Sequence, residues 1–164
     1  KSFCTVTKLL FLGLLLFGCS SDDDLAEREN YFSADVEGER LLVDEFSGLM
    51  KGEKRISVLG TVDLHVKVES EKGEAIEFVI RNFEGKRSYN IGKGFYNDSW
   101  ITYSQKDPAG IWNVNKASGN LYNNRINITE DTGTEVSGQI SFQGLDAISG
   151  TRKTITQGDF ILRY

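Results

Sequence analysis

Hydrophobic and polar residues alternate along most of the chain after residue 30. The longest such stretch runs from residue 56 to residue 69, where apolar side chains occupy nearly every second position. Because successive side chains of a strand point to opposite faces, a period of two predicts a strand with one buried and one wet face. Gly60 interrupts the pattern, and the stretch is longer than an average strand. We therefore expect a bulge, or a bend between two strands, at Gly60.

Similar alternation predicts further strands, separated by turns that are rich in Gly, Asn and Asp. The first two, at 31–36 and 40–44, are expected to form a hairpin that turns at 37–39. The later strands are expected at 75–83, 88–91, 99–103, 111–115, 125–129, 135–143 and 154–164. The stretch 46–54 contains Gly48 and Gly52 and no clean helical stripe, so we expect a loop or at most one helical turn there.

The fold class follows from the number of these strands. No window after residue 30 supports an amphipathic helix of three turns. Many short strands with such turns predict an all-β protein, either an antiparallel β-sandwich or a small barrel. The last strand carries Phe160, Leu162 and Tyr164 on one face, so we expect the C-terminal end to be held in the sheet.

An apolar run, residues 9–17, precedes the strands and ends at Gly18 and Cys19. As a helix this run would be roughly 14 Å long, against about 30 Å for the hydrocarbon core of a bilayer. It is too short to span a membrane and is typical of the apolar region of a signal peptide, which here follows a positive segment. We therefore expect a signal peptide at 1–18, a tether at 19–30 and a single β-domain at 31–164.

Leu16-Phe17-Gly18-Cys19 resembles the bacterial lipobox, in which a small residue precedes the cysteine that receives a diacylglyceryl group. The resemblance implies that Cys19 is lipidated and becomes the mature N-terminus. An ordinary secretory signal with an incidental cysteine is the alternative. The other cysteine, Cys4, lies in the segment to be removed, so no intramolecular disulfide is expected.

Cys19 is followed by Ser20, Ser21, Asp22, Asp23 and Asp24. One interpretation is a solvated acidic tether. The run also resembles the short Ser-Asp-rich export signal of Bacteroidota surface lipoproteins, which implies display on the outer face of the outer membrane. A calcium site built from the three acids is less favoured, because consecutive side chains on a tail do not converge on one ion.

The charge balance limits the partners. The chain has 19 Lys and Arg against 24 Asp and Glu, a formal net charge of -5 and a pI near 5.0. Removal of residues 1–18 would also remove Lys1 and Lys8 and make the net charge -7. A protein with this net negative charge repels the phosphate backbone of DNA and RNA, so we expect no nucleic-acid partner. Membrane attachment is expected through lipid on Cys19 rather than through a basic patch.

Residues suited to catalysis or metal binding are few. His65 is the single histidine and lies on the polar face of its strand, where an exposed surface role is expected. No Ser-His-Asp arrangement, Gly-x-Ser-x-Gly elbow or His/Cys ligand set occurs in the sequence, so we assign no catalytic residue, metal or cofactor. Two carboxylates acting as in a glycoside hydrolase are a less favoured alternative.

Aromatic residues alternate with asparagines between residues 89 and 127. The rings are Tyr89, Phe95, Tyr96, Trp100, Tyr103, Trp112 and Tyr122, and the asparagines stand at 90, 97, 113, 115, 120, 123 and 124. Flat rings beside amide groups suit a sugar, because the rings stack on its apolar face while the amides bind its hydroxyls. The candidate ligand-binding residues are Trp100, Tyr103, Trp112 and Tyr122. The alternative is that the rings are core residues and the asparagines cap turns.

Both ends of the domain carry a recurring pattern. Residues 32–38 form an aromatic and Ala-x-Val-x-Gly turn, and 136–142 with 155–160 form a closing hairpin. These segments are similar to a family of Bacteroidota lipoproteins of unknown function. The resemblance implies an all-β lipoprotein and carries over no catalytic residue.

We therefore expect a non-enzymatic binding module, anchored in the outer membrane by lipid and facing the cell exterior, with a glycan as the favoured ligand. The alternative is a structural or accessory subunit of an outer-membrane complex that binds a protein partner. A carboxylate-based glycoside hydrolase is less favoured.

Overall fold

The computed structural model describes residues 29–93, 98–115 and 122–164. In this part of the chain the strands form one antiparallel sheet that is nearly closed into a barrel-like shape. The all-β class expected from the alternating pattern is therefore confirmed. In chain order the strands are β1 (Tyr31–Val36), β2 (Glu39–Asp44), β3 (Gly48–Ile56), β4 (Val62–Ser70), β5 (Ala75–Ile80), β6 (Ser88–Asn90), β7 (Trp100–Lys106), β8 (Ala109–Val114), β9 (Arg125–Asp131), β10 (Glu135–Leu145) and β11 (Arg152–Arg163).

Strand order places the first and last strands side by side. The order across the sheet is β2-β1-β11-β10-β8-β7-β5-β4-β3, while β9 pairs with β10 and with β6. The long strand β10 pairs with β11 along its whole length. Its other side pairs with β9 over the first part and reaches β8 at Leu145.

The predicted hairpins are present. β1 and β2 turn at Glu37 and Gly38, whose φ angles are 51° and 89°. Gly60 lies in the turn between β3 and β4 with a φ of 78°, a conformation that glycine adopts without steric cost. Gly60 therefore marks a bend between two strands, which was one of the two expected forms.

The loop expected at 46–54 is wrong, because β3 occupies most of this stretch. β3 pairs with β4 from Gly48 opposite Ser70 to Ile56 opposite Val62. It lies at the end of the strand order and is only partly buried, so it lacks the alternation of a strand with one buried face. At Gly48 a Cβ would lie 2.2 Å from the carbonyl oxygen of Glu69, so the close pairing requires glycine. Tertiary pairing overrides local pattern at this edge.

The interior of the nearly closed sheet is filled by apolar side chains that point inward from the strands. Phe78 of β5 and Phe160 of β11 meet there, with their ring centroids 5.7 Å apart and tilted by 54°. Both are at most 1% exposed. Burying a side chain of this size stabilises the fold by about 1.5–3 kcal/mol, so this contact ties two separated parts of the sheet together.

The C-terminal strand is held in the sheet, as expected. Leu162 is 1% exposed, and the Tyr164 N–H donates a 3.0 Å hydrogen bond to the carbonyl oxygen of Thr134. The Tyr164 ring also lies under the ammonium group of Lys54, at 4.6 Å. The chain end is therefore fixed by apolar burial, a backbone hydrogen bond and a cation–π contact.

The expected lipidation site and export signal lie outside the described residues. This applies to Cys19 and to Ser20, Ser21, Asp22, Asp23 and Asp24.

Candidate functional site

A groove on the outer face of β7 and β8 combines a tryptophan with amide and hydroxyl groups. Its volume is about 450 Å³, and we call it the Trp100 groove. It is lined by Asp98, Ser99, Trp100, Thr102, Asn113, Val114 and Asn115. Trp100 and Thr102 share the outward parity of β7, whereas Ile101 and Tyr103 point inward and are fully buried. The period of two thus places Trp100 and Thr102 at the groove and their neighbours in the core, while the buried Val114 of β8 also reaches the groove lining.

Trp100 is supported by an apolar neighbour on the next strand. It is partly exposed and pairs with Val79 of β5, which in turn pairs with His65 of β4. Val79 has the outward parity of its strand but is only 1% exposed. Directly opposed side chains on one face of an antiparallel pair lie in contact range. The Trp100 indole therefore stands on a strand of the sheet, in a cross-strand row with Val79 and His65, rather than on a loop.

The amide group of Asn113 is oriented by its cross-strand partner. Thr102 pairs with Asn113, and its hydroxyl donates a 2.7 Å hydrogen bond to Asn113 Oδ1. An amide that accepts through its oxygen keeps its NH₂ group as a donor. At the end of the groove, Ser99 Oγ accepts a 2.9 Å hydrogen bond from the Arg81 N–H. Thr102, Asn113 and Ser99 thus have defined hydrogen bonds without a ligand.

A buried carboxylate lies beside this end of the groove. Asp63 Oδ2 is 2.5 Å from Arg81 Nη1, and its side chain is 4% exposed. Its other oxygen accepts a 3.0 Å hydrogen bond from the Asn82 N–H. Because both oxygens are bonded, the charge is compensated, and loss of Arg81 would leave a buried unpaired carboxylate. This pair is structural support for the groove.

The environment of His65 favours its neutral form. Burial, followed by the positive charges of Arg55 and Arg81, lowers its pKa below the ordinary value, while Asp63 and Glu53 oppose the shift. Among the described residues that line the groove, the only ionisable side chain is that of Asp98. The described lining thus combines the Trp100 ring with hydroxyls, amides and the Asp98 carboxylate, groups that suit a hydroxylated ligand.

Two of the four candidate ligand-binding residues lie in the core. Tyr103 is 0% and Trp112 is 6% exposed, and their ring centroids are 5.6 Å apart. The Trp112 indole N–H donates a 3.0 Å hydrogen bond to Thr151 Oγ1. Tyr122 is partly exposed but does not line the Trp100 groove. The four rings therefore do not form one exposed platform, and Trp100 is the member that the groove contains.

Tyr89 and Asn124, two further members of the aromatic and asparagine set, make supporting contacts within the fold. Tyr89 donates a 2.8 Å hydrogen bond to the carbonyl oxygen of Gly85, and it stacks on Phe83 at 5.8 Å. Asn124 is 2% exposed and accepts a hydrogen bond from the Gln143 N–H, a supporting role inside the fold. Residues 94–97 and 116–121, which include Phe95, Tyr96, Asn97 and Asn120, lie outside the described residues.

Sequence reasoning did not single out Thr102, Asp98 or Ser99. The signal for Thr102 was present, because residues 100 and 102 alternate with the buried residues 101 and 103. Asp98 and Ser99 precede β7 and follow no such pattern, so only the fold places them at the groove.

Within 29–93, 98–115 and 122–164, no group of three or more His, Cys, Asp or Glu side chains is arranged to hold a metal ion. In the same ranges no helix has the length and apolar character needed to cross a bilayer. Comparison of the chain with protein-family models, curated proteins and solved structures gave no match. The basis for a functional proposal is therefore the geometry of the Trp100 groove together with the sequence.

Proposed function

We propose that this protein is a non-enzymatic binding domain, attached to the outer membrane by lipid on Cys19, that binds a glycan in the Trp100 groove at the cell exterior. The observation that supports this most directly is the partly exposed Trp100 beside the hydrogen-bonded pair Thr102 and Asn113. The attachment and the cell-surface location are supported by the lipobox-like and Ser-Asp-rich segments of the sequence.

The groove offers contacts for both the apolar face and the hydroxyl groups of a sugar. An indole face stacks on the apolar face of a sugar ring, while amide and hydroxyl groups exchange hydrogen bonds with its hydroxyls. The volume of about 450 Å³ lies within the range of about 300–1,000 Å³ that is usual for small-ligand sites. Since the groove lies on the outer face of the sheet, a longer glycan can continue past it.

The binding test uses the purified mature chain on an array of defined glycans, followed by titration of each positive glycan. Trp100→Ala should reduce the affinity by about tenfold or more, since a lost contact of about 1.4 kcal/mol has that effect. Trp112→Phe is the matched control, because this ring is buried away from the groove. Absence of any bound glycan, or equal binding by Trp100→Ala, would overturn the proposal.

The attachment test uses lipid labelling and membrane fractionation. Cys19→Ala should abolish labelling and release the protein from the membrane fraction. Replacing Asp22, Asp23 and Asp24 by Ala should leave lipid labelling intact but remove sensitivity to protease added outside the cell. A labelled Cys19→Ala protein would contradict the lipid attachment, and unchanged protease sensitivity would contradict the export signal.

A second candidate function is that of an accessory subunit, and an apolar hairpin tip favours it. At the turn between β3 and β4, Ile56 is 80%, Val58 103% and Leu59 86% exposed. The turn is held by hydrogen bonds from the Ser57 N–H to Thr61 and from the Gly60 N–H to Ser57. Apolar side chains grouped on a surface often mark a protein interface.

This second function predicts a membrane-protein partner that copurifies at a one-to-one ratio with the lipidated chain. The double variant Val58→Ser, Leu59→Ser should lose the partner, whereas Trp100→Ala should retain it. A monomer without a stoichiometric partner, or a partner retained by the double variant, would speak against the accessory role.

A further inference from the structure

The end of the sheet at which β7 turns into β8 contains a second cleft, of about 400 Å³, which we call the end cleft. Its walls come from the β1–β2, β4–β5 and β7–β8 turns and from the start of β11. Trp100 begins β7 and Lys106 ends it, so the end cleft lies at the opposite end of β7 from the Trp100 groove. A ligand in one therefore does not occupy the other.

Lys153 is the positive group at the floor of the end cleft, which Lys72 and Lys106 also line. Its ammonium nitrogen lies 2.5 Å from Gln105 Oε1, 4.7 Å from the Trp112 ring centroid and 5.2 Å from that of Tyr103. An ammonium group has three N–H donors, and an aromatic face stabilises its charge without accepting a strong hydrogen bond. Among the described residues no carboxylate forms an ion pair with Lys153. Lys153 therefore retains donors for an acceptor in the cleft.

Glu74 is the negative group on the same floor. The hydroxyl of Tyr103 donates a 2.8 Å hydrogen bond to Glu74 Oε1 and lies 3.2 Å from Gln105 Oε1. Burial, followed by the Glu74 carboxylate, raises the pKa of Tyr103, so this phenol remains protonated and keeps donating. The floor thus runs from a carboxylate through a phenol and an amide to an ammonium group.

Two of the charged groups at the rim of the end cleft have partners within the protein. Lys106 Nζ pairs with Glu69 Oε1 at 3.2 Å. Glu37 Oε1 accepts a hydrogen bond from the Thr154 N–H. Glu39, Lys72 and Asp107 also line the cleft. Glu74 and Lys153 are the two charges joined through the hydrogen-bonded floor, with Tyr103 and Gln105 between them.

We propose that the end cleft binds a small zwitterion, a free amino acid or a short peptide, with its carboxylate on Lys153 and its ammonium group near Glu74. Opposite charges at the two ends of the floor give such a ligand complementary contacts in one orientation and repel the reverse one. A singly charged ligand lacks one of these two contacts. An anion leaves the Glu74 carboxylate without a positive partner, and a cation leaves Lys153 without a negative one. The volume of the cleft is suited to a ligand of this size.

The test uses the mature chain carrying Trp100→Phe, in which Trp112 is the remaining one of the two tryptophans. Because Lys153 lies over the Trp112 ring, indole fluorescence reports on the cleft. The probes are alanine and diglycine, with acetylglycine and glycinamide as matched molecules that lack one charge. Alanine or diglycine should give a saturable change, and both single-charge molecules should bind at least about tenfold more weakly.

Two variants place the ligand in the end cleft. Lys153→Met keeps the apolar stem without the charge, and Glu74→Gln keeps an acceptor for Tyr103. Each should weaken binding by about tenfold or more, while thermal melts check that the variants fold. If Lys153→Met fails to fold, Glu74→Gln decides alone. Absence of saturable binding, equal affinity for acetylglycine, or unchanged binding by a folded variant would overturn the proposal.

Discussion

The hydroxyl of Thr102 donates a hydrogen bond of 2.7 Å to Oδ1 of Asn113, across the pair of strands that forms the Trp100 groove. This bond decides which end of the Asn113 amide is available to a ligand. The oxygen is engaged inside the protein, so the NH₂ group is the part that donates outward. Trp100 and Asn113 therefore present an apolar face and a polar donor from adjacent strands.

Thr102→Val should weaken glycan binding while leaving the fold intact. Valine keeps the shape of threonine but removes the hydroxyl, so the Asn113 amide loses its fixed orientation. The loss of one hydrogen bond of about 0.5–1.5 kcal/mol corresponds to a two- to tenfold lower affinity. Titration with a glycan that binds the unmodified protein measures this effect. Thr102→Ser retains the hydroxyl and should bind nearly as well, and a Val variant with full affinity would contradict the orienting role.

The free energy of unfolding should decrease as the pH is lowered from about 7 to about 5.5, and His65 should be the cause. Its pKa is lowered in the folded chain by burial and by Arg55 and Arg81, so the unfolded chain takes up the proton at a higher pH. The unfolded state is therefore favoured as the pH drops through the unfolded value of about 6.5. Because His65 is the single histidine, His65→Gln should remove this slope. Urea unfolding at both pH values measures it, and an equal slope in the variant would exclude His65.

Gly158→Ala should destabilise the protein by about 1–3 kcal/mol, because it overpacks a close strand contact. A Cβ at this position would lie 2.3 Å from Ile140 Cγ2 and 2.7 Å from the Ile140 carbonyl oxygen. Gly133→Ala is the matched control, since its Cβ would meet nothing within 4 Å and its φ of 91° adds only backbone strain. Denaturant midpoints compare the two variants. A smaller loss for Gly158→Ala than for Gly133→Ala would show that β10 and β11 separate easily.

Removal of residues 160–164 should abolish cooperative unfolding. The deletion takes away Phe160 and Leu162, each 1% exposed, and opens one side of both β1 and β10. The loss of one buried phenylalanine costs about 3–5 kcal/mol, a large part of the total stability of about 5–15 kcal/mol of a typical domain. Calorimetry should show no transition. Deletion of Tyr164 alone should retain one, and an unchanged transition in the longer deletion would contradict the packing of β11.

The fold class could be predicted because alternation survives in strands with one buried face. In β7 the same alternation separates Trp100 on the outside from Tyr103 in the core, although the sequence interpretation placed both among the ligand-binding candidates. β3 could not be predicted from its pattern, since neither face of this edge strand is well covered. Its conformation is set by pairing with β4 and by the absence of a side chain at Gly48.

The end cleft could not be predicted for a different reason. Glu74, Gln105 and Lys153 stand on three segments separated by 31 and 48 positions in the sequence. Strand order and register bring them together, and local propensity does not contain this information. The same holds for Asp63 and Arg81, an ion pair that joins β4 to the residue after β5.

The position of β1 between β2 and β11 has a mechanical consequence. Tyr31, the first residue of β1, pairs with Asp44 on one side and with Ile161 on the other, and Asn30 accepts a hydrogen bond from the Arg163 N–H. A force that enters the domain from residue 29 and acts along β1 therefore loads two antiparallel ladders at once. Shearing both requires many hydrogen bonds to yield together, whereas peeling an edge strand breaks them one by one. A domain pulled by its amino-terminal end therefore resists the force through β1, which is hydrogen-bonded to a strand on each side.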